Sequence, residues 1–191
     1  MVDSKENIER LFWLQDELGF NVVIVSGKEA YAKAEELKER KIPVLASIDL
    51  PEEPDWKAAE KDEKTEESEV QEVTEEMRVF RERQMAAYKA DIENISKLME
   101  AGVKVGYASN GLKLSDIQEN LAKLQEEGGL SSDQILQMLT QSTADILGYR
   151  TQLGDLEEGR IANFTVFKKP FTDEETKSLY SITDGSITEF E

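Results

Sequence analysis

Three short, continuous runs of aliphatic residues constrain this 191-residue chain more than any other feature: NVVIVSG at 21–27, IPVLASIDLP at 42–51 and VKVGYASNG at 103–111. The first is a continuous run of β-branched residues closed by glycine, which suits a strand covered on both faces, and such strands build parallel sheets. Between the first two, KEAYAKAEELKERK places Ala30, Ala34 and Leu37 at helical spacing. Strand, helix and strand with short joins predict a right-handed βαβ unit. The third run follows a helix whose apolar stripe passes through Tyr88, Ile92, Ile95 and Leu98, and a further helix is expected to begin near Leu114.

Upstream, Ile8, Leu11, Phe12 and Leu18 mark an amphipathic helix with Asp3 and Glu6 as its capping pair and Gly19 as its stop. A glutamate-dominated stretch at about 52–69 reads as an exposed, solvated connection, after which Val70, Val73, Met77 and Phe80 restore a helical stripe. Past Gly128 and Gly129, Ser131 and Gln134 stand at capping-box spacing before a helix with Ile135, Leu139, Ile146 and Leu147 on its apolar face, a break near Ser142 and an end at Gly148. From Gln152 the pattern turns to strands, IANFTVF and SLYSITDGSITEFE, with Asp184 and Gly185 as a two-residue hairpin loop. The expected architecture is an α/β unit of parallel strands at 1–150 and a small antiparallel β-rich tail at 151–191.

Charge and missing residue types remove whole classes of function. The formal net charge is -18, from 41 acidic and 23 basic residues, which repels a phosphate backbone or an anionic bilayer; neither nucleic acid nor membrane is expected as a partner. With no cysteine and no histidine, the chain cannot build a thiolate zinc site or a Ser-His-Asp or Cys-His centre. The first residues carry no signal-peptide pattern, and no apolar run reaches the ~20 residues of a membrane span, so a soluble chain is expected, cytoplasmic or, if cut from a secreted parent, periplasmic.

Few residues remain as site candidates. SGKEAY follows a strand but lacks Walker spacing, so it reads as a strand-to-helix turn. Asn110 before Gly111 suits a left-handed turn and is preferred in that role over ligand binding. Asp49, after the second run, is also preferred as a turn residue, and Asp184 more strongly so. Glu29 fits equally a substrate-contacting carboxylate and the favourable first turn of a helix. Trp13 adjoins a core stripe, whereas Trp56 stands in the acidic connection and is the odder of the two.

Three segments, in order, resemble the end of imidazolonepropionase-like members of the amidohydrolase superfamily. AGVKVGYASNG is similar to that family's last barrel strand, LSSDQILQMLTQSTADILGY to its helix with Thr-x-x-x-Ala and Leu-Gly, and LGDLEEGRIANFTVF with the later TDGSI to its strand-rich tail. The ordered set runs from Ala101 to Ile187, and VVIVSGKEAYAKAEELKERKIPVLAS is similar to the sixth strand, its helix and the seventh strand. The resemblance implies the last three βα units of a (β/α)8 barrel followed by a β tail, in a metal-dependent hydrolase of carbon–nitrogen bonds other than peptide bonds.

The same resemblance implies zinc or another divalent metal in a complete member, held by a His-x-His pair after the first strand, histidines after the fifth and sixth, and an aspartate after the eighth. At the end of the sixth strand this chain reads Ser26, Gly27 and Lys28, and the strand-eight aspartate position is held by Asn110. Asparagine carries no charge and accepts no proton from a metal-bound water. The expectation is therefore a C-terminal segment with no cofactor and no catalytic or metal-binding residue of its own, inactive as this chain, a pseudoenzyme. The alternative is a non-catalytic binding or oligomerisation module. Three strands cannot close a barrel, so a homodimer or the remaining barrel portion of a parent protein is the expected partner.

Overall fold

The computed structural model describes residues 1–57, 74–173 and 175–190. Most of the acidic connection, 58–69, and the predicted stripe positions Val70 and Val73 lie outside the described residues. No helix among the described residues is long and apolar enough to cross a membrane.

The three aliphatic runs become β1 (Ile24–Ser26), β2 (Val44–Ser47) and β3 (Val105–Ala108), a parallel sheet in that order. Ile24 stands opposite Val44, and Val44 opposite Val105. Every β2 residue is buried, as a central strand covered on both sides must be. Helix α1 (Lys5–Leu18) precedes β1; a 3-10 turn (Ala30–Lys33) and α2 (Ala34–Glu39) join β1 to β2. The predicted Ala30 and Leu37 are fully buried against the sheet. Ser4, not Asp3, caps α1: its side chain accepts from the Asn7 amide. Gly19, with φ 67°, ends the helix in a left-handed turn that closes onto the Gln15 carbonyl.

Helices α3 (Glu75–Ile92) and α4 (Asn94–Ala101) lead into β3, interrupted at Glu93. The stripe through Tyr88, Ile92, Ile95 and Leu98 is buried as predicted. Met77 and Phe80, expected to extend it, are 46% and 61% exposed, because the first turns of α3 run beyond the core. Leu18 and Leu147 are likewise exposed, whereas the core gathers Ile8, Phe12, Leu37, Val44, Ile95 and Leu98.

After β3 come α5 (Leu114–Glu126), α6 (Ser132–Gln137), a π-turn (Met138–Ser142) and α7 (Thr143–Ile146). The capping box forms as its spacing predicts, between Ser131 and Gln134. The break expected near Ser142 is the π-turn, and it has a use. Thr143 Oγ1 donates to the Met138 carbonyl at 2.7 Å and accepts the Tyr107 amide of β3 at 2.8 Å.

The tail is a separate antiparallel sheet of β4 (Phe164–Phe167), β5 (Ser178–Thr183) and β6 (Ser186–Glu189). Thr183 pairs with Ser186 across Asp184 and Gly185, whose φ of 48° and 80° give a two-residue turn of the kind hairpins favour. Asn163 Oδ1 accepts the Asp184 amide at 2.6 Å.

Candidate functional site at the strand ends

In an open or closed parallel α/β sheet, chemistry gathers where the strands end at their carboxyl side. Here that edge is built from the turns after β1, β2 and β3.

At the end of β1 the backbone turns sharply. Ser26 holds φ 87° and Gly27 φ 58°. A Cβ at Gly27 would stand 3.1 Å from Val44 Cγ1 and 3.2 Å from Ala30 Cβ, so the left-handed turn and the tight packing both require glycine. Asn94 fixes this turn from α4. Its Nδ2 donates to the Gly27 carbonyl at 2.9 Å, and its Oδ1 accepts the Tyr31 amide at 2.9 Å. Sequence reasoning missed Asn94; the one available signal was a carboxamide beside the buried stripe of Ile92 and Ile95, where a polar group needs partners.

Ser26 is buried and, among the described residues, its hydroxyl has no hydrogen-bond partner. A non-glycine residue at positive φ and an unpaired buried hydroxyl are both unfavourable. Ser26→Gly is expected to stabilise the fold by about 1 kcal/mol, the relief of strain and of the buried hydroxyl exceeding glycine's extra chain entropy. Urea unfolding checks this, and a loss of stability instead would mean that the hydroxyl is held by a partner.

Lys28 Nζ meets Asp49 Oδ2 at 2.6 Å, a bridge from the end of β1 to the end of β2. The Asp49 amide in turn donates to Ser47 Oγ at 3.1 Å. Asp49 thus combines a turn with an ion pair. Glu29 stands at the N-cap of the 3-10 turn without a side-chain hydrogen bond to it, and its carboxylate accepts the Lys5 amide at 3.0 Å, closing the first turn of α1, 24 residues away. Nearby Asp91 has its carboxyl pushed above the usual range, first by burial and then by the charge of Glu29, against the pull of Lys28 and Lys97.

At the end of β3, Asn110 is exposed with φ 48°, followed by Gly111 at 84°, and the Leu112 amide donates to the Ser109 carbonyl at 3.0 Å. Its geometry is that of a turn asparagine. Asp184 lies on the tail hairpin and does not join the strand ends. Trp13 is 63% exposed rather than packed on the core. Trp56 ties its segment to α3: Nε1 donates to Gln84 Oε1 at 2.8 Å and the Arg81 guanidinium lies 4.9 Å from the ring centre.

A divalent ion needs several carboxylate, imidazole or thiolate donors converging on one point. The strand ends offer a neutral hydroxyl, an ammonium, a carboxamide, the Asp49 carboxylate already bound to that ammonium and the Glu29 carboxylate turned to the Lys5 amide, with Asp91 nearby. Among the described residues no three carboxylates converge. Among the described residues this donor set does not fit a metal ion. It can offer hydrogen bonds and charge to a polar ligand.

The amidohydrolase family model matches residues 82–188. Among solved structures, an amidohydrolase from Thermotoga maritima MSB8 is similar over 97% of this chain and 41% of its own, at 23% identity and a TM-score of 0.70. A prolidase complexed with N-methylphosphonate-L-proline is similar at 19% identity and a TM-score of 0.56, covering 89% of this chain and 40% of its own. A Xaa-Pro dipeptidase with bound methionine in the active site is similar at 16% identity and a TM-score of 0.55, covering 98% and 49%. At these identities the likeness is one of fold, and this chain spans less than half the length of each. No curated protein matches it in sequence. The family match takes in the end of α3, α4, β3, the π-turn and nearly all of the tail sheet. The chain belongs to the amidohydrolase family.

Proposed function

We propose that this chain is the carboxyl-terminal part of a hydrolase barrel for carbon–nitrogen bonds and that, by itself, it is catalytically inactive. One observation carries the reading: at the two strand ends where the family's ligands are expected, the chain presents Ser26-Gly27-Lys28, with Lys28 already bound to Asp49, and an exposed turn asparagine, Asn110. Zinc or another divalent metal would supply the activated water in a complete barrel, and this donor set does not supply its ligands. The similarity to proline-specific dipeptidases puts Xaa-Pro bonds beside non-peptide amides and cyclic imides among the substrates to test. With added zinc or manganese, no member of such a panel is expected to be hydrolysed above the buffer rate. Metal-stimulated turnover of any of them would refute the inactive reading.

A second reading, a binding or assembly module, is favoured by apolar side chains left uncovered away from the strand ends. Trp13, Leu18 and, on the tail sheet, Ile187 are each more than half exposed, at 63%, 70% and 72%. Exposed apolar side chains gathered into a contiguous patch would mark an interaction surface.

A further inference from the structure

Six asparagines stand in the chain, and five of them precede a bulky residue: Ile8, Val22, Ile95, Leu121 or Phe164. Asn110 alone precedes glycine. The difference matters because a backbone nitrogen can attack the side-chain carbonyl of the asparagine before it, and a side chain on the attacking residue crowds that approach. Three of the other carboxamides are also engaged. Asn7 Oδ1 accepts from Arg10 at 3.0 Å, Asn94 bonds the Gly27 carbonyl and the Tyr31 amide at 2.9 Å each, and Asn163 Oδ1 accepts the Asp184 amide at 2.6 Å.

The turn after β3 leaves both reacting groups free. Asn110 and Gly111 are exposed, with φ 48° and 84°. Among the described residues, a Cβ at Gly111 would meet nothing within 4 Å, so the attacking nitrogen is uncrowded. One hydrogen bond closes the turn, from the Leu112 amide to the Ser109 carbonyl at 3.0 Å. It uses neither the Asn110 carboxamide nor the Gly111 amide, and no described residue partners either group. The same pair of positive φ angles recurs at Asp184 and Gly185, but there the glycine amide is tied, donating to the Ala162 carbonyl at 3.4 Å.

We propose that Asn110 is a site of spontaneous deamidation, with water as the only co-reactant. The Gly111 nitrogen loses its proton and bonds to Asn110 Cγ; the bond from Cγ to the side-chain nitrogen breaks, ammonia leaves, and a cyclic imide remains. Water then opens the ring at one of its two carbonyls. Opening at the side-chain carbonyl leaves a normal backbone and an aspartate, whereas opening at the main-chain carbonyl leaves an isoaspartate, whose backbone is one methylene longer. In sum, an amide and a water become a carboxylate and ammonia, and nothing is oxidised or reduced. Either product places one negative charge at the end of β3, where asparagine carries none. The isoaspartate also lengthens the turn between Ser109 and Leu112. A single added carboxylate is still short of the several donors a divalent ion needs, so this inference neither rests on the inactive reading of the chain nor alters it.

Ageing the folded full chain in mildly alkaline and mildly acidic buffer, beside a synthetic peptide of residues 105–113, tests the proposal. Trypsin releases the same segment from the chain, between Lys104 and Lys113, and Asn110 is its one asparagine. This segment alone should gain about 1 Da, the exchange of an amide for a carboxyl group. The gain should come faster in the alkaline buffer, and an isoaspartyl methyltransferase should label part of the product. In the folded chain the rate should stay within about tenfold of the free peptide's, as an exposed turn with little local stability allows. Gly111→Ala should slow the reaction about tenfold or more by giving the attacking residue a side chain. Asn110→Gln should abolish the mass gain over the same interval, with circular dichroism confirming that both variants fold. A folded chain slower than the free peptide by more than about tenfold would overturn the proposal, because the turn would then hold the two groups apart. So would a first mass gain at another asparagine, or a rate unmoved by Gly111→Ala.

Discussion

Asp155→Ala is expected to lose about 2 kcal/mol of stability, the scale for removing a buried acceptor from charge-assisted hydrogen bonds. The carboxylate of Asp155 is only 8% exposed and is surrounded by three groups: it binds the Arg150 guanidinium, accepts from the Gln141 amide of the π-turn, and lies 3.6 Å from Arg160 Nη2. Arg160 also donates to the Arg150 carbonyl, so two guanidinium groups and one carboxylate hold the connection between α7 and the tail. Gly154 adds shape to charge. At φ 97° it brings the backbone so close to the helix that a Cβ would lie 3.0 Å from Ala144 Cβ and 3.1 Å from Gln141 Cα. Without the Asp155 carboxylate, Arg150 and Gln141 lose a shared acceptor and Arg160 keeps only Glu157, at 3.0 Å, so this seam loosens. Urea unfolding should show the loss, and limited proteolysis should cut within 148–161 before it cuts the parallel sheet. A variant as stable and as protease-resistant as the parent would mean that the tail is held by something else.

Leu98→Ala should cost about 3 kcal/mol, for a different reason. Leu98 is fully buried at the centre of α4, in the same cluster as Leu37, Val44 and Val105. The backbone around it is pinned as well: its carbonyl accepts the Val103 amide at 2.9 Å, and Gly102 closes the helix in a left-handed turn with φ 87°. A helix fixed at its end cannot slide in to fill the space left by the missing methyls, so the cavity term adds to the lost transfer free energy. Thermal or urea unfolding measures the change; a loss below about 1 kcal/mol would show that α4 does not form the central contact of this core.

Those two sites differ in how visible they were in the sequence. The stripe containing Leu98 was legible because helical spacing of apolar residues maps directly onto burial, and the same holds for the continuous strand runs, the Ser131–Gln134 capping box and the Asp184–Gly185 loop. All of these are local patterns whose period or turn chemistry is carried by neighbouring residues. Contacts made across the fold were not legible. Asp155 is one acid among 41 acidic residues, and nothing nearby says that it alone sits between two arginines. Nothing local to Glu29 announces that its carboxylate closes the first turn of α1, 24 positions away. Thr143 appeared only as part of a helix that breaks, yet the break presents its hydroxyl to β3.

Apolar residues were over-read at element ends. Met77, Phe80 and Leu18 follow helical spacing but lie where the helices run past the core, and periodicity alone does not report where a core stops. At the strand ends, the Asn-Gly pair announced its own turn, whereas the Lys28–Asp49 bridge needed the parallel register to bring the ends of β1 and β2 together.

The central claim is that these strand ends do not bind a divalent metal, and zinc titration of the folded chain by calorimetry tests it most directly. The account predicts no saturable binding tighter than about 10 µM, because among the described residues no cluster of donors stands at these strand ends to lose protons to the ion. One zinc per chain, bound tightly and lost on Asp49→Ala or Asn110→Ala, would contradict it and place a working metal site at the ends of β2 and β3.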